Sequence, residues 1–180
     1  KLVGINQHIG SLFMDGKPYV EGVKAILNIA KQFDDLEFVD LGGGFGIPYE
    51  KLNDQPRLDM VELGKQLDEV FEQFVKDYGK EITFKIEPGR YVSAECGVLL
   101  GTVTAVKHNG EDKYIGTDIG FNVLQRPVMY DSHHDIEVYN DSDNTEDVTV
   151  VGNICESGDI LAKHRICPEM HVGDTMAMLD

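Results

Sequence analysis

Three times within residues 1–90 a short apolar run stops at a polar, glycine-bearing loop, and two stretches of helical spacing lie between the runs. Residues 1–6 read as a strand end before His8-Ile9-Gly10-Ser11. Leu36–Leu41 is a strand stopped by Gly42-Gly43-Gly44-Phe45-Gly46, and Ile82–Ile86 one stopped by Glu87-Pro88-Gly89-Arg90. Pro18 opens a helix that carries Val20, Val23, Ala25, Ile26, Leu27, Ile29 and Ala30. Leu58 to Tyr78 repeats an apolar stripe (Met60, Val61, Leu63, Leu67, Val70, Phe71, Phe74, Val75) before a terminating Gly79. Strand–helix–strand–helix–strand order implies parallel strands joined by crossover helices. All three loops then lie past strand C-termini, where parallel α/β barrels keep their sites.

After about Cys96 the pattern changes to short strands. Val98–Val106 alternates Thr102 and Thr104 with apolar residues, Asn109-Gly110 signals a hairpin, and Lys113–Asp118, Asp135–Tyr139, Val148–Val151 and Thr175–Leu179 read as further strands. The expectation is α/β plus all-β, with residues 1–95 as one domain and 96–180 as an antiparallel β-domain.

With 32 acidic against 16 basic side chains, the formal net charge is -16. Nucleic acid and anionic membranes repel such a chain, and no apolar run reaches the roughly 20 residues of a membrane span. Three scattered cysteines make neither a disulfide framework nor a zinc cluster, so a reducing, cytoplasmic setting is expected. Both ends fall inside strand-like runs, from which we expect a piece of a longer protein.

Each motif has an ordinary reading beside a chemical one. Gly42–Gly46 is a tight turn or a phosphate cradle, since glycine lets backbone N–H groups approach an anion. Glu87 and Arg90 are a surface ion pair of little energy or a functional couple. His8 is a structural histidine and Ser11 a helix cap, unless both serve a ligand. Arg126 can hold a carboxylate bidentately. Cys155, among acids that disfavour a thiolate, is a buried small hydrophobe or a neutral thiol able to give up a proton. His133 and His134 with Asp131 and Asp135 suggest a metal, but adjacent strand side chains point to opposite faces, and we expect none. Asp141–Asp147 lacks the spacing of a calcium loop.

HIGS, GGGFGIPY, EPGRYVSAECG, DIGFNVLQRPVMY and CESGD occur in this order, and the match runs from His8 to Asp180. Together they resemble the fold-type III, alanine-racemase-like pyridoxal 5'-phosphate (PLP) decarboxylases, and within them the diaminopimelate decarboxylases. The resemblance implies the last strands and helices of a PLP-binding (β/α)8 TIM barrel, then most of a C-terminal β-domain, in a homodimer whose active site is shared between subunits. It implies that His8 stacks on the cofactor ring, that Ser11, Gly42, Gly43, Gly44 and Arg90 hold its phosphate, and that Glu87 pairs with its ring nitrogen. Arg126, Tyr130 and Glu156, with Arg90, would bind the amino-acid substrate. Cys155 would protonate the α-carbon in the opposite subunit's site, and Asp159 would orient its neighbours. The family's Schiff-base lysine and a Gly-Ala-Tyr segment are expected outside these 180 residues, so the fragment alone is expected to be inactive.

The implied reaction converts meso-diaminopimelate to L-lysine and CO2, the last step of lysine biosynthesis. The competing readings are a decarboxylase of ornithine, lysine or arginine feeding polyamine synthesis, and a non-catalytic homologue that binds a partner. Arg126, suited to a second carboxylate, favours the first. The joint retention of Glu87, Arg90 and Cys155 argues against the last.

Overall fold

The computed structural model describes residues 1–180, and the chain divides into two units. One comprises Lys1–Pro48 and Pro56–Ala94, the other Tyr49–Gln55 and Glu95–Asp180. No helix is long and apolar enough to cross a membrane.

In the first unit, strands β1 (Gly4–Asn6), β2 (Phe38–Asp40) and β3 (Thr83–Lys85) pair in parallel, with β2 in the middle. Two helices, α1 (Lys17–Ala30) and α2 (Met60–Tyr78), make the crossovers, as the alternation requires. Pro18 lies in the first turn of α1, and Tyr19, Val20, Val23, Ile26, Leu27 and Ala30 form its buried stripe. The α2 N-terminus is capped by Asp59, which accepts the Glu62 N–H at 2.9 Å, and Gly79 ends the helix at φ 72° with its N–H on Val75 O. Phe71 stacks on Phe84 of β3 at 4.0 Å, and Phe13, Tyr19 and Phe45 form a ring trio with centroids 4.9–5.1 Å apart. Such contacts add about 0.5–1.5 kcal/mol each beyond burial.

Glycine at positions 42–44 is required by packing. A Cβ on Gly42 would run into the carbonyl oxygen of Gln7, one on Gly43 into that of Glu87, and one on Gly44 into that of Gly10. The loop after β2 therefore touches the loops after β1 and β3 backbone to backbone. Phe13 N–H to Gly44 O and Gly46 N–H to Phe13 O, both 3.0 Å, zip the first two loops together.

The second unit is a six-stranded sheet in the order β6-β9-β4-β5-β7-β8. Its strands are β4 (Val98–Asn109), β5 (Asp112–Thr117), β6 (Ile136–Tyr139), β7 (Thr145–Val151), β8 (Ile160–Pro168) and β9 (Thr175–Leu179). The first part of β4 pairs with β9 and the rest with β5, with a bulge between Val103 and Ala105 where the partner changes. Asn109-Gly110 makes the β4–β5 hairpin with Gly110 at φ 63°, as its signal implied. The sheet is not purely antiparallel as expected: β5 and β7 pair in parallel, because the chain between them returns through β6 and leaves β7 entering from the same end as β5. Strand β8 escaped the sequence reading. The core of the unit is filled by Val103, Ile115, Val148, Val150, Leu161, Met170, Met176 and Met178.

Asp159 is 3% exposed, and its carboxylate accepts the Phe121 N–H at 2.7 Å and the Ile154 N–H at 2.8 Å. A side chain on Gly120 or Gly152 would collide with that carboxylate. One buried acid thus ties the DIGFN loop after β5 to the CESGD loop after β7, and Asn153 Nδ2 adds a bond to Asp118 O at 2.9 Å.

Two contrasts follow from this packing. Gly43→Ala should lose about 1–3 kcal/mol through backbone displacement. Gly64→Ala, on the exposed face of α2 with open space at its Cβ, should gain about 0.5–1 kcal/mol. Equal urea midpoints for the two variants would refute this account of the loop. Asp159→Ala strands two buried N–H donors and should lose at least about 2 kcal/mol, with Asp159→Asn milder because its amide keeps one acceptor oxygen. Denaturant midpoints at unchanged m-value measure both.

Candidate functional site

The first unit carries one set of predicted residues at the C-terminal ends of its strands. The Gly42 N–H donates to Asp40 Oδ1 at 3.0 Å, and the Glu87 N–H donates to Gly42 O at 2.9 Å. The Gly43 N–H points to His8 Nδ1 at 3.4 Å. Accepting at Nδ1 leaves the neutral His8 ring with its proton on Nε2. Gly42 and Gly43 are buried, whereas Gly44 keeps some surface. His8, Ser11 and Glu87 have exposed side chains, and Arg90 is half-buried in the short helix α3 (Gly89–Ser93).

The structure brings His8, Gly42, Gly43 and Glu87 into direct backbone or side-chain contact, packs Gly44 against Gly10 beside Ser11, and sets Arg90 in α3 just after Glu87. Ser11 does not cap α1: the N-cap is Gly16, and Asp15 Oδ1 takes the Lys17 N–H at 3.0 Å. Ser11 instead lies between two left-handed residues, Gly10 (φ 132°) and Leu12 (φ 62°). That conformation in a leucine stores about 1–3 kcal/mol, as is common where a loop is shaped for a ligand.

The second unit carries the rest. Arg126 opens the short helix α4 (Arg126–Tyr130), a position periodicity could not reveal. Its NH1 lies 3.2 Å from His134 Nε2, and its guanidinium carbon sits 4.7 Å above the Tyr49 ring. Tyr49 meets His134 edge-on at 5.1 Å. His134 is 1% exposed and its Nδ1 is 2.8 Å from Leu179 O. A carbonyl only accepts, so Nδ1 carries the proton and Nε2 offers a lone pair to Arg126. Burial pulls the His134 pKa below its ordinary value, against the Leu179 bond and with help from the Arg126 charge.

Tyr130 is 69% exposed, and Cys155 and Glu156 lie on the exposed loop that Asp159 pins. Glu156 Oε1 accepts the Gly158 N–H at 3.2 Å, and Gly158 backs onto Val128 of α4, so this loop adjoins the helix that carries Arg126 and Tyr130. Cys155 is not a buried hydrophobe. Cys167 is, and burial pushes its thiol up to about 11.

His133 and His134 turn to different neighbours, His133 Nε2 lying 2.8 Å from Asp135 Oδ1. Sequence reasoning missed Tyr49 and His134 as site residues, although Tyr49 ends GGGFGIPY and His134 follows the arginine motif closely. It also missed Lys51, which bridges Glu95 at 2.8 Å and Asp180 at 2.7 Å and holds the 49–55 segment on this unit. Burial pulls the Lys51 pKa down, but hydrogen bonds to Asp180 and Glu95 outweigh it and leave it raised.

Residues 14–180 match the family model described as the pyridoxal-dependent decarboxylase C-terminal sheet domain. The chain is 40% identical over 185 residues to the diaminopimelate decarboxylase of Archaeoglobus fulgidus, and 37% over 186 to that of Methanothermobacter thermautotrophicus. Each alignment covers 99% of this chain and 43% of the relative, so the chain spans less than half of their length. The crystal structure of the M. jannaschii diaminopimelate decarboxylase in co-complex with L-lysine superposes with TM-score 0.89 at 32% identity, covering 99% of this chain and 41% of that one. With its ordered motifs, its sheet domain and these relatives, the chain belongs to the pyridoxal-dependent decarboxylase family, among sequences named diaminopimelate decarboxylase.

Proposed function

We propose that this chain is part of a PLP-dependent enzyme that decarboxylates meso-diaminopimelate to L-lysine and CO2, the closing step of lysine biosynthesis. The observation that carries the reading is identity of 37–40% along 99% of the chain to proteins named for that reaction. The L-lysine held by the M. jannaschii relative is the product the reading requires. The first unit is then the end of a (β/α)8 barrel, and the second the C-terminal β-domain. Three free cysteines suit a cytoplasmic setting.

The first unit's donor set fits the cofactor. A hydroxyl, a guanidinium and the surface-facing Gly44 end of a glycine loop suit a phosphate, the Gly42 and Gly43 N–H groups being taken by Asp40 and His8, and an exposed carboxylate suits a protonated pyridine nitrogen. His8, oriented through Nδ1 by Gly43, offers its ring for stacking. Ser11, Arg90 and the Gly42–Gly44 loop would hold the phosphate. Glu87 would accept the ring N–H hydrogen bond and keep that proton in place. PLP, when bound, supplies the electron sink for the pair left on the α-carbon as CO2 departs.

Arg126 grips the distal carboxylate bidentately, with Tyr130 and Glu156 on the distal amino group, and Arg90 also reaches substrate. Cys155 donates its thiol proton to the α-carbon. Its exposure and that of Val128, Met129 and Tyr130 beside it suit a homodimer in which this loop serves the partner's site.

The test is CO2 release by the full-length polypeptide with PLP, comparing meso-diaminopimelate with lysine, ornithine and arginine. Diaminopimelate should be strongly preferred, and Arg126→Ala should raise its KM about 100-fold, as loss of a bidentate charged pair implies. Preference for a basic amino acid would overturn the substrate. Glu87→Gln should lower kcat about 100-fold with a much smaller effect on PLP affinity. Equal losses in both would return Glu87 to a binding role.

A further inference from the structure

We propose that His134 is a positioning residue that sets specificity for the distal carboxylate by holding Arg126 through a proton-free Nε2. This rests on the role proposed for Arg126. It goes beyond that role because it assigns the task to a buried histidine that no substrate or cofactor chemistry requires.

An arginine has a long, flexible side chain, and recognising a carboxylate by two parallel hydrogen bonds demands that its plane be set beforehand. Here two rings hold the group. Its guanidinium carbon sits over the Tyr49 ring at 4.7 Å, and His134 Nε2 receives one NH1 hydrogen at 3.2 Å. Tyr49 and His134 are themselves packed at 5.1 Å with an interplanar angle of 74°, so neither ring can turn without moving the other.

The tautomer decides whether His134 can do this. The 2.8 Å bond to Leu179 O places a hydrogen on Nδ1 and so leaves Nε2 as an acceptor. The opposite tautomer or the imidazolium would aim an N–H at Arg126 N–H. Charged and titratable groups around the ring are Arg126 on α4, His133 and Asp135 on either side of it in the chain, Asp180 after β9, and Tyr49 from the 49–55 segment. Burial and the Arg126 charge favour the neutral ring, which leaves the acceptor in place at neutral pH.

A neutral acceptor has a second effect. A carboxylate at this position would hold Arg126 equally well, but it would place a negative charge against the guanidinium and compete with the substrate's own carboxylate. An imidazole orients the arginine and adds no negative charge.

The sign with pH follows. Protonation of His134 turns its acceptor into a donor, so the KM for diaminopimelate should rise as pH falls below the ordinary histidine value of 6.5 toward the lowered folded value. The same proton is taken up more readily by the unfolded chain. This contribution to stability is therefore complete above 6.5 and lost on the same acid side.

The experiment uses the full-length enzyme with PLP and its His134→Gln and His134→Leu variants, with melting temperature and PLP absorbance as controls for folding and loading. Glutamine keeps one donor for Leu179 and one acceptor for Arg126, whereas leucine keeps neither. Expected are a KM for meso-diaminopimelate raised about tenfold in His134→Leu with kcat changed far less, a value restored to within about threefold in His134→Gln, and loss in His134→Gln of the acid-side rise in KM. If His134→Leu fails to fold, the comparison of the acid limbs of wild type and His134→Gln decides alone. Identical acid limbs, or a leucine KM equal to wild type, overturn the proposal. A parent enzyme that ignores diaminopimelate, with Arg126→Ala harmless, would instead overturn the substrate reading, and the two failures are distinguishable.

Discussion

Backbone-to-backbone contact at the ends of three parallel strands is the constraint on which the first unit depends. Parallel strands bring their following loops to one end, but ordinary side chains keep such loops apart. Glycine at 42, 43 and 44 removes that spacing, and the carbonyls of Gln7, Glu87 and Gly10 occupy the volume where Cβ atoms would be. The close approach lets the Gly43 N–H reach His8 and the Glu87 N–H reach Gly42 O. Loop packing and the placement of two candidate cofactor residues are thus one physical fact. The tight-turn reading of these glycines and the cradle reading do not exclude each other: two glycines are buried by the turn, and the third keeps surface.

The second unit meets the same need with a side chain. Its DIGFN and CESGD loops belong to different strand connections, and the buried Asp159 carboxylate joins them through two backbone N–H groups. Such a group is stable only when its lone pairs are filled, and Gly120 and Gly152 supply the room that lets the backbone close on it. The loop so fixed carries Cys155 and Glu156 outward, which is why the last residue of CESGD is buried while its first two are exposed.

The first unit was largely legible because its signals are periodic and its stops are glycines. Both crossover helices, all three strands and the turn at Gly79 follow from spacing and from these stops, whereas the five-residue α3 does not. The second unit was less so for identifiable reasons. Strand β8 loses its two-residue alternation at His164, which sits at φ 46° opposite a register shift between Val148 and Val150. The parallel β5–β7 pair joins segments separated by β6, a relation no local pattern carries. Helix α4 is five residues long, under two turns and too short to repeat a helical period, so Arg126 could be named from its motif but not placed. Tyr49 and His134 escape a sequence reading because they meet Arg126 and each other only through packing, which no spacing carries.

Two histidines in this chain are set in opposite tautomers by single backbone groups. His8 accepts an N–H at Nδ1, whereas His134 donates from Nδ1 to a carbonyl. In both, the far nitrogen is left with a defined character, a donor on His8 and an acceptor on His134. The choice of imidazole matters in a chain of net charge -16. Its cations are readily drawn to acids, as Lys31 is to Asp77, Lys51 to Glu95 and Asp180, and Lys113 to Glu146. If Arg126 receives a substrate carboxylate, as proposed, it must be held in place without being quenched. A neutral ring with its lone pair turned outward, fixed from behind by a backbone carbonyl, meets both requirements with one buried side chain.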